Sequence, residues 1–343
     1  MKRVLFLLIC LALLSSCEKE IEFNGEQSDP KLVINSLVES GQPVSAAISK
    51  SFFFLDNAAN TLAPDGLVAT LYVNDNRIGE MSFHYDTLVS YDTWNPNESS
   101  LGRVQKVYTH EYRPAVGDVV KITASANGFE DVEGVTSPLP NAIVFQFDTE
   151  VTEWHGGYYF PYYDDGEYEE DSVWRASGIL ELTINITDPN PGKTDFFKLV
   201  TDKGNDHYDG NNWYYISFDY EDPIFGVGID ENEIVDISDL DTRPEGVFTD
   251  VLFDGNSYRL KLKVQFDCEL AEECDPDFYH VPILLQHISK EYYNYLNTCD
   301  QGDMAVQLWA EPIQTYSNVT NGYGIVAGRT VDTLLLELPI EEP

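Results

Sequence analysis

Basic residues are scarce. The 343-residue chain has 20 Lys and Arg against 59 Asp and Glu, a formal net charge of −39. Residues 1–16 hold Lys2 and Arg3 and no acid, so without them the charge is 18 − 59 = −41. Each phosphate contact needs a cation that such a surface lacks, which argues against nucleic acid as a partner and against electrostatic adhesion to anionic lipid. Cysteine is sparse too, five in all. No apolar run approaches the ~20 residues of a transmembrane helix. Catalytic signatures are also missing. None of His84, His110, His155, His207, His280 and His287 falls in a His-Glu-x-x-His spacing, and there is no serine elbow, phosphate loop or Walker lysine. Carboxylate pairs suited to glycoside cleavage arise by chance among so many acids and count neither way. The expectation is a protein that is not an enzyme.

What is present makes a foldable chain. Hydrophobic residues are 43% and aromatic residues 13% of the total, enough to bury a core, so the acidity does not signal disorder. At roughly 100–200 residues per domain, the length predicts two domains.

The start of the chain gives an address. Met1-Lys2-Arg3 is followed by the apolar run Val4–Leu14 and then by Ser15, Ser16 and Cys17. A positive start, a short apolar stretch and small residues make a secretory signal. Leu14-Ser15-Ser16-Cys17 resembles the lipobox of bacterial lipoproteins, which implies a signal peptide over 1–16 and acylation of Cys17. An ordinary signal ending on a chance cysteine is the alternative. Two or more acyl chains anchor a protein stably, and residues 17–30 then read as a lipid-anchored tether. Within it, Glu18-Lys19-Glu20-Ile21-Glu22 resembles the export signal of surface-exposed outer-membrane lipoproteins, a solvated spacer being the plainer reading.

Beyond the tether the pattern predicts an all-β protein. Seven runs rich in β-branched and aromatic residues, Lys31–Leu37, Pro43–Ser49, Leu67–Asn74, Arg77–His84, Val104–His110, Asp118–Ala126 and Glu130–Thr136, alternate with turn residues. That spacing indicates an immunoglobulin-like β-sandwich over 31–137. Asn74-Asp75-Asn76 is the clearest hairpin signal. Pro138-Leu139-Pro140 suits a boundary. A second, larger β-sandwich domain is expected over 141–343. Its strands are Ile143–Phe147, Gly178–Asn185, Phe196–Thr201, Trp213–Phe218, Tyr258–Phe266, Val281–His287, Ala305–Trp309, Gly324–Val326 and Thr330–Leu338. One short helix is expected after an N-cap at Ser289, because Ile288, Tyr292 and Leu296 fall four apart.

Four stretches together resemble the Bacteroidota-type outer-membrane lipoprotein family numbered 4249 among domains of unknown function. They are Cys17-Glu18-Lys19-Glu20-Ile21, the first strand Pro30-Lys31-Leu32-Val33-Ile34-Asn35, the helix Ile288–Leu296, and the run from Glu311 to Ile325. The resemblance spans nearly the whole mature chain. It implies an outer-membrane lipoprotein with a TonB-dependent transporter as partner, and it supplies no catalytic residues.

After signal cleavage Cys268, Cys274 and Cys299 remain beside Cys17, in a compartment that permits disulfides. Cys268 and Cys274 bracket a short loop and are the expected bridge; pairing of Cys299 with either, or three thiols, are the alternatives. The spacings match no zinc pattern. Trp154 through Trp174 carries eight aromatics in 21 residues. Trp154, Tyr158, Tyr159, Tyr162, Tyr163 and Trp174 there, with Trp213, Tyr214 and Tyr215 farther on, are the candidate ligand contacts, since aromatic faces beside polar groups suit a sugar or a peptide. A long surface loop whose aromatics cover the sandwich edge is the competing reading. No cofactor is required, but calcium, which takes clustered oxygen ligands, is conceivable at Asp164, Asp165 and Glu167 or at Asp230, Glu231 and Glu233. The leading expectation is a lipid-anchored accessory for solute capture with a TonB-dependent transporter. The second is a structural or adhesive surface protein with acidic, calcium-binding loops.

Overall fold

The computed structural model describes residues 29–52, 62–88, 103–164, 167–202, 206–209, 212–230, 233–236, 244–271, 279–299 and 315–339. Among them the chain is all-β, with one short α-helix. Cys17, most of the tether and the predicted strand Ala305–Trp309 lie outside the described residues.

The first eight strands are β1 (Leu32–Glu39), β2 (Val44–Lys50), β3 (Val68–Val73), β4 (Asn76–Glu80), β5 (Ser82–Leu88), β6 (Arg103–His110), β7 (Val120–Ser125) and β8 (Val132–Val135). They follow the predicted runs, except that Arg77–His84 divides at the buried Met81 into β4 and β5. Alternation sets the faces. β1 buries Leu32, Ile34, Ser36 and Val38, and β7 buries Val120, Ile122 and Ala124, the two-residue period of a half-buried strand. Asn74 and Asp75 take φ of 49° and 63°, the left-handed pair that a two-residue hairpin between β3 and β4 requires. β1, β2, β6 and β5 make one layer, and β8, β7, β3 and β4 the other. Leu32, Ile34, Ile48 and Tyr108 from the first layer meet Leu71, Val120, Ile122 and Val132 from the second, giving a two-layer sandwich.

The remaining strands are β9 (Val144–Asp164), β10 (Glu167–Thr187), β11 (Phe196–Thr201), β12 (Asp206–Asp209), β13 (Asn212–Asp219), β14 (Val227–Asp230), β15 (Glu233–Asp236), β16 (Val247–Thr249), β17 (Ser257–Ala271) and β18 (His280–Ile288). Helix α1 (Lys290–Cys299), β19 (Val319–Thr320) and β20 (Tyr323–Glu337) complete the described chain. The predicted strands Ile143–Phe147 and Gly178–Asn185 are only the inner ends of β9 and β10, each 21 residues long. The stretch from Trp154 to Trp174 is therefore a strand hairpin and not a long loop. Gly324–Val326 and Thr330–Leu338 are one strand, running through Gly328. β9, β10, β17, β13 and β12 form a sheet whose Leu180, Leu182, Leu262 and Val264 pack against Phe197, Phe248, Ile283 and Leu336.

One sheet backs both sandwiches. β20 pairs in parallel with β1, from Val33↔Tyr323 to Glu39↔Arg329, and antiparallel with β18, from Ile288↔Arg329 to His280↔Glu337. The result is an eight-stranded sheet ordered β16-β11-β18-β20-β1-β2-β6-β5. Val326 lies in the first core while Leu334 and Leu336 lie in the second. The strand period puts all three on one face, so both smaller sheets pack on the same side. α1 covers the opposite side, where Ile288, Tyr293 and Leu296 close over Phe196. Ser289 directly precedes α1, as expected of its N-cap; its carbonyl accepts the Tyr293 N–H at 3.1 Å and its Oγ accepts the Gly328 N–H at 3.1 Å.

The segment joining the sandwiches is pinned along β20. Thr330 Oγ1 donates to the Pro140 carbonyl at 2.6 Å, and the Ile143 N–H donates to Asp332 at 3.0 Å. Leu139 fills the space left by Gly328, where a Cβ would sit 2.5 Å from Leu139 Cδ2. Buried Val319 and Val326 join the first core from the far end of the sequence. The predicted boundary at Pro138–Pro140 thus falls between two cores that share a sheet.

Candidate functional site

The expected aromatic site separates onto two faces of the β9–β10–β17–β13 sheet. Trp154 pairs with Gly178, which pairs with Phe266, placing Trp154 on the core face. It packs against the second core, and its indole N–H donates to the Pro339 carbonyl at 2.8 Å. Trp174 also packs against that core. Tyr214 is 2% exposed, and burial raises the pKa of its hydroxyl above the usual value. A side chain enclosed in this way cannot meet a solute, so Tyr214 is a core residue and not a contact group. Trp154 and Trp174, each partly buried, pack against the same core.

Trp213 and Tyr215 remain on the outer face. Their register partners are Glu269 and Asp267, which pair in turn with Arg175 and Ser177. Directly paired residues share a face, so Trp213, Tyr215, Arg175, Asp267 and Glu269 form one platform. Arg175 holds it together: Nη2 lies 2.7 Å from Asp267 Oδ2 and Nη1 lies 3.4 Å from Glu269 Oε1, a two-donor clasp on Asp267 through Nε and Nη2. Tyr215 is 39% exposed and Trp213 half-buried. Tyr158 pairs with Arg175 and Tyr159 with Trp174 in register. Tyr162 and Tyr163 lie farther out on β9, toward its end at Asp164. Sequence reading missed Arg175 and Asp267; the signal was a lone Arg in a strongly acidic stretch, facing a partner that only strand register reveals.

Of the expected calcium ligands, Asp164 pairs with Glu167 across the β9–β10 hairpin and Asp230 with Glu233 across β14 and β15. Asp164, Glu167, Asp230 and Glu233 end the strands β9, β10, β14 and β15, while Asp165 and Glu231 lie outside the described residues. A different acidic group also comes together. Asp188, at the end of β10, and Asp250 and Asp254, in the turn before β17, bring carboxylate oxygens within 4.8 Å of one another. At an effective dielectric of about 20, two unit charges at that separation repel by roughly 3 kcal/mol. Backbone groups hold the carboxylates in place: Asp188 accepts the N–H groups of Asn190 and Gly255, Asp254 that of Gly192, and Asp250 Oδ1 that of Asp195. Asp195 is taken up by Asn190 and by His287 Nε2 at 3.2 Å. The signal available in sequence was paired turn chemistry, Asp188-Pro-Asn-Pro-Gly192 and Asp254-Gly255, some sixty residues apart.

Cys268 sits within β17, which runs on through Ala271, so it is a strand residue and not the first residue of a loop. It is buried, with Sγ 3.4 Å from the Ala176 carbonyl. Cys274 lies outside the described residues.

The family model for a domain of unknown function, DUF4249, matches residues 18–334. The chain belongs to the DUF4249 family. No curated protein matches it. The DUF4249 match takes in both sandwiches, the platform around Arg175, the Asp188 group and nearly all of β20.

Proposed function

We propose that the chain is a lipid-anchored outer-membrane lipoprotein that captures a solute for a TonB-dependent transporter and catalyses no reaction itself. One observation supports capture above all. The outer face of the second sandwich sets Trp213 and Tyr215 beside the Arg175–Asp267–Glu269 ion-pair group. Flat apolar rings give contact area, and the charged groups next to them orient hydroxyls or peptide amides. The platform is open, which suits part of an extended solute whose remaining surface meets a second protein.

The reading is tested with the acylated protein in detergent against arrayed glycans and peptides. Binding is expected, and Trp213→Ala should weaken it at an unchanged melting temperature. Equal binding by wild type and variant would remove the platform from the account. For the anchor, Cys17→Ala should move the protein from the membrane to the soluble fraction.

A further inference from the structure

We infer that Asp188, Asp250 and Asp254 bind a hard divalent cation of calcium's size, which clamps the end of β10 to the turn that leads into β17. This site is separate from the solute platform and does not depend on it. The strongest observation concerns Asp250. Its side chain is 1% exposed, and Oδ1 accepts the Asp195 N–H. Oδ2 is buried and has no hydrogen-bond partner among the described residues. A buried carboxylate oxygen without a donor is costly to keep. Asp250 belongs to a group in which one carboxylate oxygen from each of Asp188, Asp250 and Asp254 lies within 4.8 Å of the others.

That distance fits the chemistry. Two oxygens on one calcium, each about 2.4 Å from it, lie at most about 4.8 Å apart. All the donors are oxygens, which favours calcium over zinc, whose sites draw on sulfur and nitrogen. Calcium also accepts six to eight ligands in loose geometry, so two-oxygen carboxylate binding and water complete the shell. Among the described residues no Lys or Arg lies within ion-pair distance of the three carboxylates, although two of them are buried. The Asp250 carboxyl reflects this: burial, and then the charges of Asp195, Asp188 and Asp254, push its pKa up to about 7 against the pull of the Asp195 N–H. A cation removes that repulsion. The backbone N–H donors to Asp188 and Asp254 hold those carboxylates in place without it, which is the pre-organisation a selective site needs.

The test uses the full-length lipoprotein in detergent, stripped with a chelator and titrated with calcium chloride alone, with calorimetry for binding and thermal unfolding for stability. One calcium per chain is expected. At about a hundred times the dissociation constant, the melting temperature should rise by on the order of 5 °C. Asp250→Asn should abolish the calcium response, while its calcium-free melting temperature should be no lower than that of wild type. Asp254→Asn changes an exposed residue, so its fold should persist with calcium affinity reduced at least tenfold. A wild-type protein whose unfolding ignores about 10 mM calcium, well above the usual range for extracellular sites, overturns the inference. So does an undiminished response in either variant, or an equal response to magnesium.

Discussion

Phe197→Ala tests whether the shared sheet makes the two sandwiches one cooperative unit. Phe197 is fully buried on β11, with ring centroids 5.1 Å from both Phe248 and His287 and 6.3 Å from Phe253. Truncating a packed core phenylalanine costs about 3–5 kcal/mol. If β20 couples both cores, about 300 residues unfold together, with an unfolding entropy of about 0.6 kcal/mol/K at ~2.1 cal/mol/K per residue. The expected outcome in differential scanning calorimetry is a single transition lowered by about 5–8 °C. A second sandwich melting alone would have about two thirds of that entropy, and its transition would fall about one and a half times as far. A trace in which one transition drops while another stays at the wild-type temperature would refute the coupling.

Two further predictions follow from the same geometry. Gly324 and Gly41 both have positive φ, 103° and 77°, but a Cβ at Gly324 would lie 2.2 Å from the Ile34 carbonyl oxygen while one at Gly41 meets nothing within 4 Å. Gly41→Ala should therefore cost about 1 kcal/mol and Gly324→Ala clearly more, by chemical denaturation, because the latter also forces β20 from β1; equal costs would contradict the parallel pairing. Trp154→Ala should lower stability by about 2–4 kcal/mol through lost packing and a lost indole hydrogen bond. Tyr215→Ala, on the outer face, should stay within about 0.5 kcal/mol of wild type, and a reversal of that order would mean the sheet faces have been assigned the wrong way round.

The strands of the first sandwich were legible because buried residues recur at every second position, as with Leu32, Ile34 and Val38 in β1 or Val120, Ile122 and Ala124, which alternate with Lys121, Thr123 and Ser125 in β7. β9 and β10 were legible only at their inner ends. Farther out, Tyr158, Tyr159 and Trp174 interrupt the alternation, and the predicted strand begins only at Gly178, a glycine that allows close strand approach: a Cβ there would lie 2.1 Å from the Glu153 carbonyl oxygen. The sharing of β20 was not legible, since pairing Asn35 with Ile325 depends on contacts nearly the length of the chain apart. The same holds for both candidate sites. Aromatic content pointed to this sheet, but only register separates Trp213 and Tyr215 from Tyr214 and Trp154. Acid density pointed to Asp164–Asp171 and Asp230–Glu233, whereas burial of Asp188 and Asp250, two acids spaced far apart, is what creates the unpaired carboxylate.

The proposed function is tested most directly by affinity capture of the acylated, tagged protein from solubilised outer membrane, with recovered proteins identified by mass spectrometry. The account predicts that a TonB-dependent transporter is recovered in near-stoichiometric amount with the wild type and with Tyr214→Phe, which leaves the outer face intact. Recovery of the intact lipoprotein with no transporter would contradict it.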